Sequence, residues 1–321
     1  MEDLLKVVEG FRKKKILVIG DVVLDKYTVG SVKLISPEAP VPILTVEKEF
    51  YRLGGAGNVA LNAANLSPEG QVYLFGFIGE DSSGDELRKI LTKNITSYFE
   101  KCDSTTMKER IIGRSSGQQQ QIVRVDREEK SQRIFKEKLE DMISIARIAD
   151  IIIISDYAKG VITLDLMEVL NHYKEKIVAD PKPNNQHFKN LYKNVKIIKP
   201  NREEALRMSG CYNIDDAGYK LREELNSNIL ITLGGEGMKL FPRYGNAVSI
   251  ETIPEESFEE TGAGDTAISA IALSLSSSNN SLDSLISAAK IGNLASGITI
   301  KHVGTYAPSF DELKEKISKS L

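Results

Sequence analysis

Short runs that are apolar at nearly every position recur along this chain. They are Ile16-Leu17-Val18-Ile19-Gly20, Ile151-Ile152-Ile153-Ile154, Lys176-Ile177-Val178-Ala179, Val195-Lys196-Ile197-Ile198 and Ile229-Leu230-Ile231-Thr232. They are shorter than helices and show no two-residue alternation. That is the habit of strands buried on both faces, as in a parallel sheet covered by helices. Amphipathic stretches at 2–13, about 131–147 and from about 163 read as those helices, and Asn201 opens another. The runs end in Gly20-Asp21, Ser155-Asp156-Tyr157-Ala158-Lys159-Gly160, Asp180-Pro181-Lys182, Lys199-Pro200-Asn201 and Leu233-Gly234-Gly235-Glu236-Gly237. In open α/β sheets ligands lie beyond the carboxyl ends of the strands. The pattern therefore predicts one three-layer α/β domain over residues 1–321, with a mostly parallel central sheet and a polar rim along one edge.

Two segments break the alternation. Tyr27-Thr28-Val29 and Val41-Pro42-Ile43-Leu44-Thr45-Val46 read as strands with no helix between them. Pro37, Pro40 and Pro42 favour an exposed or edge position. A second strand pair, Thr106 to Ile112 and Gln119 to Val125, is joined by the turn-rich stretch from Gly113 to Gly117. Together, about 25–52 and 105–126 predict a small β-sheet appended to the main domain as a lid.

Two glycine turns enter helices. In Glu259-Glu260-Thr261-Gly262-Ala263-Gly264-Asp265-Thr266 the glycines allow a tight turn and close approach of backbone to a ligand. The first amides of the following small, apolar helix have no internal partner. With the positive end of the helix dipole they make an anion site from Gly262, Ala263 and Gly264. Asp265 in the first turn could take a proton from a hydroxyl while those amides hold a transferred phosphoryl group; alternatively it is an Asp favoured by the dipole alone. In Leu53-Gly54-Gly55-Ala56-Gly57-Asn58-Val59-Ala60, the amides and Asn58 could meet sugar hydroxyls, or the small residues could serve helix packing. Asn201 and Glu204, three apart at a helix start, could face Mg²⁺ through waters or form a capping box. Asp21, Gly234 and Gly237 are ligand contacts or turn residues.

Composition narrows the class. The 321 residues hold 42 Lys+Arg against 45 Asp+Glu, well mixed, for a net charge of −3. No basic patch for nucleic acid or a membrane surface is indicated. No signal core or spanning run is evident, so a cytoplasmic location is expected. Cys102 and Cys211 have no metal-type spacing, and His172, His187 and His302 are scattered.

The late Thr-Gly-Ala-Gly-Asp, the early Gly-Gly-x-Gly-Asn-x-Ala and the Pro-Asn-x-x-Glu together resemble the ribokinase-like (PfkB) carbohydrate kinases over essentially the whole chain. Ile35-Ser36-Pro37-Glu38-Ala39-Pro40-Val41-Pro42, Lys108 and Arg110 before Gln119-Gln120-Gln121, Arg124-x-Asp126, Asp156-Tyr157-Ala158-Lys159-Gly160 and Asp180-Pro181-Lys182 are similar to one branch of that family. That branch comprises the kinases of ADP-heptose synthesis for lipopolysaccharide, which convert D-glycero-β-D-manno-heptose 7-phosphate and ATP to the 1,7-bisphosphate. The resemblance implies a ribokinase-like fold and a homodimer. It makes Asp265 the base, the amides from Gly262 to Asp265 the anion hole, and Asn201 with Glu204 the Mg²⁺ site. Thr232, Gly234, Gly237 and Asn293 would border ATP. Asp21, Gly54, Gly55, Asn58 and Asp156 would hold the sugar, with Ser36, Arg124 and Lys182 at its 7-phosphate. Glu259-Glu260 replaces the family's usual Asp-Thr, leaving a monovalent cation open, and Leu34 stands where heptose kinases often have Arg. Ending at Leu321, the chain is expected to lack the nucleotidyltransferase domain of many relatives. The rivals are a kinase for ribose, fructose 1-phosphate or a nucleoside on the same scaffold, and a catalytically silent sugar or nucleotide sensor.

Overall fold

The computed structural model describes residues 4–115, 118–128, 133–183, 187–252, 260–277, 281–302 and 304–320. Helix α1 (Leu4–Glu9) leads into β1 (Lys15–Gly20). Two long strands follow, β2 (Val22–Ile35) and β3 (Pro42–Gly55), then α2 (Ala56–Leu66), β4 (Gln71–Gly79), α3 (Ser82–Ile90), β5 (Ile95–Cys102), β6 (Met107–Ser115) and β7 (Gln118–Arg127). From there helix and strand alternate through α4 (Leu139–Ile148), β8 (Ile151–Asp156), α5 (Leu164–Val169), β9 (Ile177–Pro181), α6 (Phe188–Tyr192), β10 (Ile197–Ile198), α7 (Arg202–Ser209), α8 (Ile214–Leu225) and β11 (Asn228–Thr232). The antiparallel pair β12 (Met238–Phe241) and β13 (Val248–Ile250) precedes α9 (Ala263–Leu275), α10 (Leu282–Thr299) and α11 (Phe310–Ser320).

Nine strands form the central sheet in the order β13-β12-β11-β10-β9-β8-β1-β4-β5. All pairs are parallel except β11–β12 and β12–β13. Successive side chains of a strand point to opposite faces, so each all-apolar run feeds two cores. Ile16, Val18, Ile151 and Ile153 pack on the side of α2, α9 and α10. Leu17, Ile19, Ile152 and Ile154 pack on the side of α4, α5 and α8. The result is the expected three-layer α/β architecture. No helix among the described residues is long and apolar enough to cross a membrane.

The segments that break the alternation form a separate four-stranded sheet, β3-β2-β6-β7. It rises from the carboxyl end of β1, since β2 starts at Val22 directly after Asp21, and β3 returns to α2. Its first two strands, 14 residues each, extend beyond the bounds expected from sequence. The β6–β7 turn includes residues 116 and 117, which lie outside the described residues, as do 278–280 of the serine-rich stretch before α10.

Two expectations are corrected. The helix expected at about 131–147 begins only at Leu139, and its first two positions lie outside the described residues. The amides of Lys136 and Lys138 donate to Glu100 Oε1 (2.5 and 3.0 Å), and Phe135 packs on Phe77 (4.6 Å), so tertiary contacts hold Arg133 to Lys138 out of the helix. Strands β4 and β5, which extend the sheet on the other side of β1, are not among the strands expected from sequence. Gln71–Gly79 is buried from Val72 onward, and such a run has no period that separates strand from buried helix.

The junction of β3 and α2 depends on Gly55, whose φ of 54° is one that residues bearing side chains rarely adopt. A Cβ there would fall on the carbonyl oxygen of Asp21. Gly55→Ala should therefore lose about 1–3 kcal/mol of stability. This is read as a lower urea midpoint at unchanged slope; an unchanged midpoint would contradict this packing.

Candidate active site

Gly262, in the left-handed region with a φ of 85°, turns the chain into α9 and places Asp265 in the first helical turn. The Ala263 amide is used by the turn itself, donating to the Glu260 carbonyl (3.2 Å). That removes Ala263 from the expected donors and leaves the Gly264 and Asp265 amides, unbonded within the first turn, to bind an anion. Residue 259 of this motif lies outside the described residues.

Asp265 is 7% exposed. Asn58, at the start of α2, donates to its Oδ2 (2.7 Å), and the Tyr157 hydroxyl donates to its Oδ1 (3.1 Å). Burial pushes the carboxyl up to about 6; the two donors and the Lys199 ammonium oppose that shift, while the Asp180 carboxylate reinforces it. Asn58 is 0% exposed and its Oδ1 accepts from Asn62 (3.2 Å). Asn58 therefore orients the base.

Tyr157 lies in the loop after β8, and two expected sugar contacts shape that loop. Asp21 Oδ2 accepts from the Tyr157 and Lys159 amides (2.7 and 3.2 Å), leaving Oδ1 buried without a hydrogen-bond partner. Both oxygens of Asp156 are engaged, by the Ala158 amide (2.8 Å) and the Tyr192 hydroxyl (2.6 Å). Asp156 is thus an anchor of that loop.

Along the rim, Lys199 Nζ meets Asp180 Oδ2 at 3.0 Å, and a Cβ on Gly264 would lie 3.7 Å from that ammonium. A buried cation thus stands against the anion turn, while Asp180 Oδ1 has no hydrogen-bond partner. Asn201 and Glu204 form the reciprocal capping box of α7: Asn201 Oδ1 accepts from the Glu204 amide and Glu204 Oε2 from the Asn201 amide, both at 2.8 Å. Lys182 donates to the other Glu204 oxygen, so its charge is paired rather than open to a ligand. Thr232 bridges to Asn201 at the next strand end. Gly234 opens onto free space, whereas Gly237, with a φ of 88°, is required by the Ile250 carbonyl beside it. Asn293 on α10 donates to the Glu251 carbonyl (3.4 Å) on the same side.

The smaller sheet turns one face toward this rim. Cross-strand register aligns Asp25, Lys108 and Asp126 in one row and Tyr27, Arg110 and Arg124 in another. Asp25 pairs with Arg110 and fills the space left by Gly54, which explains that glycine without a ligand. Arg124 is half exposed and forks onto Asp126 (2.8 and 2.9 Å). Ser36 lies past the far end of β2, about 40 Å of strand from its root. Its Oγ accepts from the Glu38 amide (3.2 Å), so it is remote from Asp265 of its own chain. From sequence alone no role attaches to Tyr157, Asp25, Lys108, Asp180 or Lys199. Their signals are position at a strand end or in a broken alternation and, for Lys108, Tyr157 and Asp180, a place in the motifs that carry the resemblance.

Because the Tyr157 hydroxyl helps hold Asp265 ionised, Tyr157→Phe should raise the Asp265 pKa above about 6. A carboxyl-carbon NMR titration reads this directly, and an unchanged or lowered value would remove Tyr157 from the base's environment.

The family model for pfkB family carbohydrate kinases matches residues 13–312. The bifunctional protein HldE of a Nitratiruptor species is 36% identical over 315 residues, covering 94% of this chain; the chain spans 65% of that relative's length. Among solved structures, ribokinase from Giardia lamblia superposes with a TM-score of 0.74 at 20% identity, covering 96% of this chain and 100% of that one. Arabidopsis thaliana ribokinase complexed with ribose and ATP superposes with a TM-score of 0.72 at 19% identity, covering 95% and 99%. With a model match over nearly its full length and a ribokinase-like sheet, this chain belongs to the pfkB family of carbohydrate kinases.

Proposed function

We propose that this kinase transfers the γ-phosphoryl group of ATP to the anomeric hydroxyl of D-glycero-β-D-manno-heptose 7-phosphate. The observation behind the reaction type is the buried, doubly hydrogen-bonded Asp265 beside the free amides of the α9 turn. The sugar is suggested by the HldE relatives, of which this chain resembles a part.

Asp265 takes the proton from the attacking hydroxyl as the new O–P bond forms and the bond from the γ-phosphorus to the β-phosphate oxygen breaks, releasing ADP. The Gly264 and Asp265 amides and the α9 dipole hold the charge on the transferred group, with Lys199 beside it. ATP would lie along Asn201, Thr232 and Gly234. The smaller sheet, as a lid, would exclude water from the sugar. Among the described residues no group of three or more His, Cys, Asp or Glu is placed to hold a metal. Mg²⁺ commonly keeps waters and binds substrate phosphates with one or two carboxylates. The unpartnered Asp180 Oδ1 fits that mode, and Glu204, whose oxygens accept from the Asn201 amide and Lys182, would take part through a water. Mg²⁺, when bound, supplies charge neutralisation at the phosphates.

Asp265→Asn should bind ATP nearly normally and lose at least about 100-fold in kcat; more than a tenth of wild-type kcat would exclude Asp265 as the base. The base acts only when deprotonated. With its pKa pushed up to about 6, kcat/KM should fall as pH drops through that value and level off above it. Heptose 7-phosphate should exceed unphosphorylated heptose, ribose and fructose by at least about 100-fold in kcat/KM, some 2.7 kcal/mol. Equal use of ribose or a nucleoside would leave the carbohydrate kinase and remove the heptose.

A further inference from the structure

We propose that Lys108, on β6 of the smaller sheet, binds the phosphate that the sugar already carries and so sets the preference for a phosphorylated substrate. This rests on the reading of the protein as a sugar-phosphate kinase and names the residue that would make it one.

Most cations around the cleft are already engaged. Arg110 pairs with Asp25, Arg124 with Asp126, Lys159 with Glu128, Lys182 with Glu204 and Lys199 with Asp180. Lys108 is half-buried, and among the described residues it has no hydrogen bond and no ion pair. Asp25 and Asp126 flank it in register, and they and Glu128 act on it through space, without a direct contact. The face of the Tyr157 ring, 5.4 Å away, attracts the ammonium but offers it no hydrogen-bond acceptor, so its withdrawal from water is only partly compensated. A ligand phosphate would supply the missing acceptors, as charge-assisted hydrogen bonds.

Position distinguishes which phosphate this is. Lys108 Nζ lies 5.4 Å from the centre of the Tyr157 ring, whose hydroxyl is 3.1 Å from Asp265. The ammonium and the base therefore lie on the same tyrosine and no further apart than 5.4 Å, half a tyrosine and 3.1 Å together, a separation that one phosphorylated sugar can bridge. The smaller sheet stands over the β1 end of the rim. The rim residues assigned to ATP lie beyond β10 and β11, on the other side of β8 and β9. Lys108 thus faces the sugar rather than the nucleotide. It also replaces Arg124 and Lys182, whose charges are committed to carboxylates within the chain.

The experiment compares wild type, Lys108→Met and Lys108→Arg with heptose 7-phosphate and unphosphorylated heptose, alongside KM for ATP and thermal unfolding. In Lys108→Met the ratio of kcat/KM between the two sugars should fall at least about tenfold. The loss should appear in KM for the phosphorylated sugar, while KM for ATP moves less than about twofold. Lys108→Arg, which keeps a cation, should recover part of the ratio. An unchanged ratio in Lys108→Met, or an equal loss on both sugars with a lowered Tm, would show that Lys108 merely balances its acidic neighbours. A rise confined to KM for ATP would assign it to the nucleotide. If wild type itself shows no preference for the phosphorylated sugar, the sugar-phosphate reading fails first, and the role of Lys108 with it.

Discussion

The arrangement turns on one buried carboxylate. Asp265 cannot stay ionised in a dry site without donors, and both donors come from elsewhere in the chain: Asn58 from α2 and Tyr157 from the loop after β8. Leaving such a group unsatisfied costs about 1–3 kcal/mol or more when charged. The requirement therefore fixes α2 against α9 to within a hydrogen bond. A polar seam extends the constraint: Thr266 donates to Asn62 (2.7 Å) and lies 2.9 Å from the Thr299 hydroxyl, and Ser269 donates to the Val59 carbonyl (3.0 Å). These bonds tie α2, α9 and α10 together in an otherwise apolar layer, where sliding by one turn would strand every member.

The same economy governs the loop that presents Tyr157. Asp21 and Asp156 end adjacent strands of the central sheet and spend their oxygens mainly on the amides of that loop and on Tyr192. Carboxylates at strand ends so close together repel. Asp156, after burial, is what raises Asp21 to about 6, and the loop amides work against the shift. The base is thus positioned by a tyrosine that is itself positioned by two other acids. A conservative change in either acid would act at a distance from the chemistry.

The smaller sheet solves a different electrostatic problem. On its rim-facing side Asp25, Lys108 and Asp126 alternate in sign across three strands, and the opposed Arg110 and Arg124 are each paired with a carboxylate. This pattern brings a charged face close to the rim without net repulsion. It also consumes most of the cations available there, which is why the pairing of each decides which remains for a ligand.

The sequence by itself determined the α/β class, the parallel core strands, the appended β segments and the turn with Asp265. These are local: an all-apolar run must be buried on both faces, and a glycine turn before a small apolar helix leaves amides free wherever it lies. It did not determine β4 and β5, whose run has no distinguishing period, nor the late start of α4, where Glu100 takes the amides of Lys136 and Lys138. Only the tertiary structure decided which partner each polar residue around the rim takes. Asn58, Asp156, Lys182 and Arg124 carry the right chemistry, yet each is bonded within the chain. Tyr157 and Lys199 stood in the chain without a role until folding set them within a few ångströms of Asp265 or its turn, as did Lys108 until folding set it over the Tyr157 ring. A side chain's chemistry is written in its residue type, whereas its partner depends on contacts between residues a hundred or more positions apart.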